Sequence, residues 1–137
     1  MSTSAAVADR IEIADLFSRF ARLLDEARHE DADTVFTDDV AVRSPRGGEM
    51  RGIGTIADFL RRSPVEGEHT QHTTTDLLAD VDGDRASVSA NSLVHYYRDG
   101  RAPHQTTGMR IAGTVARTPE GWRFSEVEIM LAWLRRD

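Results

Sequence analysis

The feature that most restricts this chain is a change of period near Gly67. Before it, apolar residues recur every three or four positions; after it, they alternate in runs spanning His69–Val81, Arg85–Arg98, His104–Arg117 and Trp122–Leu134. A spacing of three and four lines one face of a helix, whereas alternation lines one face of a strand. Asp82-Gly83-Asp84, Asp99-Gly100-Arg101 and Thr118-Pro119-Glu120-Gly121 separate the runs, and all are turn-forming sequences. Short turns join strands antiparallel, so the second half predicts a four-stranded meander. Typical strands hold about 5–6 residues. Runs this much longer must coil as their twist accumulates. A coiled sheet covered by helices on its concave side encloses a cavity. The expected fold is therefore α+β: a cone-shaped barrel in which a strongly curved, mostly antiparallel sheet and about three helices close an internal pocket.

The first half supplies those helices. Ile13, Leu16, Phe17, Phe20, Ala21 and Leu24 share one face of a helix predicted over Ala6–Ala27. A second is expected over Glu30–Phe36, where early acidic residues suit the helix dipole. Val40, Val42 and Ser44 alternate as a short strand, followed by a turn at Pro45-Arg46-Gly47-Gly48. A third helix is predicted over Thr55–Arg62, with Ile53, Ile56, Ala57 and Leu60 inward and Pro64 and Gly67 ending it. No linker or repeat divides the 137 residues, so one domain over 1–137 is expected. The last strand is apolar on both faces near its end, with Val127, Ile129, Leu131 and Trp133 on one and Met130, Ala132 and Leu134 on the other. One face meets the core. The other predicts a partner subunit, as a homodimer or higher homo-oligomer joined through the outer sheet face.

Composition narrows the chemistry. A net charge of −6, from 17 basic and 23 acidic residues, argues against a nucleic acid or an anionic membrane as partner. No apolar run is long enough to span a bilayer, and the N-terminal residues lack a basic start followed by an apolar run, so a cytoplasmic location is expected. Cysteine is absent, which excludes thiol nucleophiles and thiolate metal sites. Lysine is absent too, which excludes Schiff-base chemistry and attachment of pyridoxal phosphate. There is no glycine-rich dinucleotide fingerprint. Catalysis is left to carboxylates, histidine, tyrosine, hydroxyls and arginine. That repertoire suits acid–base chemistry on a small-molecule substrate, with no cofactor expected.

Two residues stand out. Asp25 lies at the edge of the first helix's apolar face, on a flank with Ala14, Ser18 and Ala21, and His72 sits among threonines on a strand. Each has a bland reading, as a solvated acid and a structural histidine. As a pair they make a general base, because a carboxylate bonded to one imidazole nitrogen fixes the tautomer and raises the basicity of the other. His95 shares a strand face with Asn91, Leu93 and Tyr97. It is either a pocket group, polarising a carbonyl with Asn91 and Tyr97 beside it, or a satisfied core histidine. His29, His69 and His104 read as surface or rim residues. His69 and His72, three apart on a strand, point to opposite faces, so no metal pair is expected.

Several segments resemble the SnoaL-like, or nuclear transport factor 2-like, family. They are Phe20-Ala21-Arg22-Leu23-Leu24-Asp25, Val35-Phe36-Thr37-Asp38-Asp39-Val40, Thr70-Gln71-His72, Val81-Asp82-Gly83-Asp84 and Arg117-Thr118-Pro119-Glu120-Gly121-Trp122-Arg123. The resemblance covers nearly the whole chain and implies the cone fold; the fold hosts both enzymes and non-catalytic modules. The positions that would carry the tyrosine and two aspartates of ketosteroid isomerases match Phe20, Ser44 and Gly113, which lack those groups. The site pattern is more similar to scytalone dehydratase and bile-acid 7α-dehydratase. That resemblance implies Asp25, His72 and His95 as catalytic residues, with Phe17, Phe20, Asn91 and Tyr97 against the substrate. It also implies a dehydratase, cyclase or double-bond isomerase acting on a polyketide-, aromatic- or terpenoid-like molecule. The alternatives are a non-catalytic small-molecule-binding or protein-interaction module, and a small subunit of a ring-hydroxylating dioxygenase.

Overall fold

A computed structural model describes residues 3–137. In chain order it contains helix α1 (Thr3–Asp25), a 3₁₀ segment (His29–Thr34), strands β1 (Phe36–Ser44) and β2 (Gly48–Arg51), and helix α2 (Ile53–Arg62). Strands β3 (His69–Asp82), β4 (Arg85–Tyr97), β5 (Gln105–Thr118) and β6 (Gly121–Arg136) follow. The six strands form one curved, unclosed sheet in the order β2-β1-β6-β5-β4-β3. The expected meander is present, with β3, β4, β5 and β6 paired antiparallel in succession.

The first half departs from expectation where tertiary contacts overrule local pattern. The segment expected as a helix over Glu30–Phe36 is a 3₁₀ turn that stops at Thr34. Its only buried residue is Ala32, so it has no apolar face to stabilise a longer helix. The Thr34 hydroxyl donates to the Asp31 carbonyl at 2.7 Å and closes the turn. Phe36 instead begins β1, because β6 offers it a parallel partner, with Phe36 opposite Phe124 and Val42 opposite Val127. That partner lies far along the chain, and no local period reveals it. β2 then folds back on β1, with Ser44 opposite Gly48. Helices α1 and α2 each begin a little before their predicted starts.

One apolar cluster joins the helices to the concave face of the sheet. Helix α1 contributes Ile13, Leu16, Phe17, Phe20 and Leu23, all buried, and Trp122 and Phe124 of β6 are fully buried beneath it. Phe124 meets Phe17 and Phe20 with ring centroids 5.1 and 5.4 Å apart, separations at which tilted aromatic pairs attract. Along β6 the expected alternation breaks. A bulge lies opposite Gly108 and Met109, so that Met109 faces Leu131 while Gly108 faces Trp133. Trp133 and Ile129 therefore lie on opposite faces rather than the same one. Met130, Leu131, Trp133 and Leu134 are all exposed at the end of the strand. Among the described residues no helix is long and apolar enough to cross a membrane.

A polar anchor fixes the near end of α1. Asp9 accepts two bonds from the Arg117 guanidinium, at 2.8 and 2.9 Å, and one from the Trp122 indole at 3.3 Å. Arg117 also lies over the Trp122 ring, 4.5 Å from its centroid. One turn on, the Trp122 amide donates to Glu12 at 2.7 Å. The bond from Arg117 lowers the Asp9 carboxyl below its ordinary value, against the opposing effect of burial. A carboxyl lowered in the folded state binds fewer protons than its unfolded counterpart, so stability rises with pH across that interval. Asp9→Asn is expected to cost about 2–3 kcal/mol in urea unfolding at neutral pH. The difference should persist above the unfolded-state value of 3.8 and shrink as pH falls through the lower folded value.

Candidate functional site

Helix α1 crosses the concave face and ends at the mouth of a cavity of about 500 Å³. Phe17, Phe20 and Leu24 of α1 line it, together with Leu60 of α2 and Met109 and Ile111 of β5. Most of the wall's area is apolar, as in small-molecule pockets, with polar and charged side chains set among the apolar ones. Two of those groups are Asp25 and His72.

Asp25 occupies the last turn of α1. Just beyond it the chain reverses through Ala27 in the left-handed region (φ 52°), while the Arg28 amide bonds back to the Leu23 carbonyl at 3.0 Å. This is the hydrogen-bonded stop that helices usually make with glycine. It aims the helix end at β3. There the Asp25 carboxylate accepts from the Thr70 hydroxyl at 3.0 Å, from the His72 backbone amide at 2.9 Å and from the His72 ring, with Nδ1 at 2.5 Å. Asp25 and His72 side chains are 20% and 15% exposed, enough to reach the cavity and too little for water to compete freely.

Ionisation at this place has two opponents, burial and the negative end of the helix dipole. Burial is the largest single influence on Asp25, yet the bonds from the His72 ring, the His72 amide and Thr70 outweigh it and hold the carboxyl below its ordinary value. An ionised carboxylate only accepts hydrogen bonds, so His72 Nδ1 carries the hydrogen between them. The lone pair of the neutral ring then sits on Nε2, to which no hydrogen bond is made among the described residues. The geometry presents one unengaged basic nitrogen on an apolar wall.

The alternation of β4 decides the fate of the other expected site residues. Ser92, Val94 and Tyr96 face the cavity, in register with Thr74, His72 and Thr70 of β3. His95, Asn91 and Tyr97 are consequently on the opposite face of the sheet, away from Asp25 and His72. His95 Nδ1 meets the Thr106 hydroxyl at 3.1 Å, Asn91 donates to Asp76 at 3.1 Å, and the Tyr97 ring packs on His69. The signal lay upstream on the same strand. Ala86, Val88 and Ala90 are apolar, serines alternate with them, and that set is buried, so the even positions point inward. Phe17 and Phe20 do line the cavity, at its buried floor. Tyr96, Thr70 and Arg46 are among the other polar residues of the wall. Among the described residues no three histidine, aspartate or glutamate side chains are grouped as a metal cage.

A helix-covered, strongly curved sheet with a cavity between is the architecture of nuclear transport factor 2-like proteins. Residues 5–128 match the SnoaL-like domain, and the chain belongs to that family. The protein Rv2910c of Mycobacterium tuberculosis is 28% identical over 127 residues, which cover 90% of this chain and 85% of the relative. Among solved structures, Kfla4162 from Kribbella flavida superposes with a TM-score of 0.85 at 25% identity, over 95% of both chains. A LinA-type3 hexachlorocyclohexane dehydrochlorinase from Novosphingobium barchaimii has a TM-score of 0.85 at 17% identity, covering 99% of this chain and 94% of its own. A scytalone dehydratase-like protein from Novosphingobium aromaticivorans gives 0.85 at 16% identity, covering 99% and 92%. At those identities the last two establish fold alone.

The tautomer is directly measurable. In a long-range proton–nitrogen NMR spectrum taken where the ring is neutral, His72 should show a protonated Nδ1 and a bare Nε2. Asp25→Ala should shift the population toward the Nε2–H form. A wild-type ring already in that form would contradict the assignment.

Proposed function

We propose that this protein is a cofactor-independent lyase or isomerase in which Asp25 and His72 act as a general-base dyad on a small, largely apolar molecule of polyketide, aromatic or terpenoid type. The observation that carries the reading is the 2.5 Å contact between Asp25 and His72 Nδ1, which leaves Nε2 unengaged on the cavity wall. In the proposed step, Nε2 takes a proton from carbon next to a carbonyl or leaving group. The electron pair of that C–H bond becomes the new carbon–carbon double bond. In a dehydration the C–O bond breaks with its electrons, and the imidazolium returns the proton to the departing oxygen, releasing water. In an isomerisation the proton returns to a different carbon. Asp25 stays ionised and stabilises the transient imidazolium.

Negative charge builds on the substrate oxygen as the proton leaves, and a donor is needed to meet it. Tyr96 takes the part that the sequence reading gave to His95. It faces the cavity two positions from Val94, the cross-strand neighbour of His72. Two structural neighbours bear the names dehydrochlorinase and scytalone dehydratase, words that describe removal of HCl and of water. The competing reading is a binding module. It draws on Asp25 itself, whose bonds to Thr70 and to the His72 amide dock α1 on β3 whether or not any reaction follows.

Screening β-hydroxy and β-halo carbonyl compounds and β,γ-unsaturated ketones tests the proposal. Asp25→Asn and His72→Gln are each expected to lower kcat by about 10²–10⁴-fold, the usual worth of general-base catalysis. Tyr96→Phe should lower kcat by roughly tenfold or more with little change in KM. Turnover that survives His72→Gln would assign the chemistry elsewhere, and ligand binding without turnover would favour the module.

We further propose that the protein self-associates through the convex side of the sheet. Leu93, Gly108 and Trp133 occupy one rung across β4, β5 and β6. The exposed Trp133 indole rests so closely on Gly108 that a Cβ there would lie 2.3 Å from the ring. A large aromatic held rigidly on an open sheet face suits burial against a second copy. Trp133→Glu is expected to shift the mass in sedimentation velocity toward the monomer; an unchanged mass would move the interface elsewhere.

A further inference from the structure

Each carboxylate that borders the cavity has a basic side chain as its partner, and one cation there has none. Asp25 is bonded to His72, Glu68 lies 3.0 Å from His104 Nε2, and Glu26 lies 3.5 Å from Arg28. All three acids border the cavity, and each has a basic neighbour. Arg46 is the single arginine along the same wall, and among the described residues no hydrogen bond or ion pair engages its guanidinium. Its position is set by a tight turn between β1 and β2. Pro45 fixes the backbone just before it, and the Gly47 amide donates to Ser44 Oγ at 3.0 Å just after it. Ser44 borders the cavity as well. The turn thus holds an exposed, unpartnered cation beside a cavity whose wall is apolar over most of its area.

Arginine differs from other cations in offering a planar fork of donors, which pairs bidentately with a carboxylate or a similar oxyanion. Beside an apolar wall such a pair is less screened than on open surface. We propose that Arg46 recognises an anionic substituent of the ligand, so that the ligand class is an amphiphilic organic acid whose apolar body fills the cavity and whose acid group stays at the mouth. This rests on the reading of the cavity as a small-molecule site and adds the charge of what enters it. The charge of −6 on the chain repels organic acids at a distance, so a local cation is what would let one enter.

Two probes that differ only by an acid group separate charge recognition from cavity shape. Anilinonaphthalene sulfonate carries a sulfonate; N-phenylnaphthylamine is the same body without it. Fluorescence titration of the wild type should show tighter binding of the sulfonate. Arg46→Gln should weaken the sulfonate by about fivefold or more while leaving the neutral probe within twofold, and Arg46→Lys should recover part of the loss. Equal weakening of both probes, or no change in either, would overturn the assignment, since Arg46 would then shape the mouth or lie idle. A wild type that binds neither probe would overturn it together with the small-molecule reading. Asp25→Asn keeps the two questions apart: it should retain the charge preference while losing turnover. Lost charge preference with an intact dyad sinks this inference alone.

Discussion

Helix α1 is held across an open sheet by carboxylates near both of its ends, and the cavity exists because of that arrangement. At one end Asp9 and Glu12 bind the β5–β6 end of the sheet through Arg117 and Trp122. At the other, Asp25 binds β3 through Thr70 and His72. Between them Phe17 and Phe20 settle on Phe124. The sheet is unclosed, with β2 and β3 at its edges, so no continuous ladder of hydrogen bonds defines the interior. The helix does so, by bridging β6 and β3 over the curved face. Space remains beneath its C-terminal end, where Asp25 meets the sheet.

The same carboxylate therefore serves packing and chemistry. Asp25 sits where burial and helix dipole both oppose its charge, and the donors of β3 that overcome this opposition also orient the imidazole. A base placed on a loop would lack such control. Here the backbone amide and the ring of one residue, His72, address the two oxygens of one carboxylate, so the strand itself holds the carboxylate where the ring meets it. Elements that tether a structure and a reactive group together restrict the group's geometry without any additional shell of residues.

Much of this was legible in order of residues. The period change at Gly67, the lengths of the alternating runs and the turn sequences between them led to the meander and to its curvature. The face of α1 could be read from Ile13 to Leu24, and the family resemblance joined Asp25 and His72 as a pair. The convex placement of His95, Asn91 and Tyr97 was not drawn out, although Ala86, Val88 and Ala90 carried the phase of β4. Alternation states which side chains share a face, and it needs a buried reference before it states which face is inward. β2 and the early start of β1 had no such signal, since their stability comes from pairing with each other and with β6.

The sequence by itself determined the class of structure and the chemical repertoire, because periodicity and the absence of cysteine and lysine are properties of the chain alone. Tertiary structure decided which residues meet. Asp25 and His72 are separated by 47 positions and touch because a helix end and a strand are brought together by packing that neither encodes locally. The parallel seam of β1 on β6, the bulge that turns Trp133 outward and the inward choice of Tyr96 over His95 depend likewise on partners distant in the chain. Their energies come from contacts that exist only after the sheet has curled around the helix.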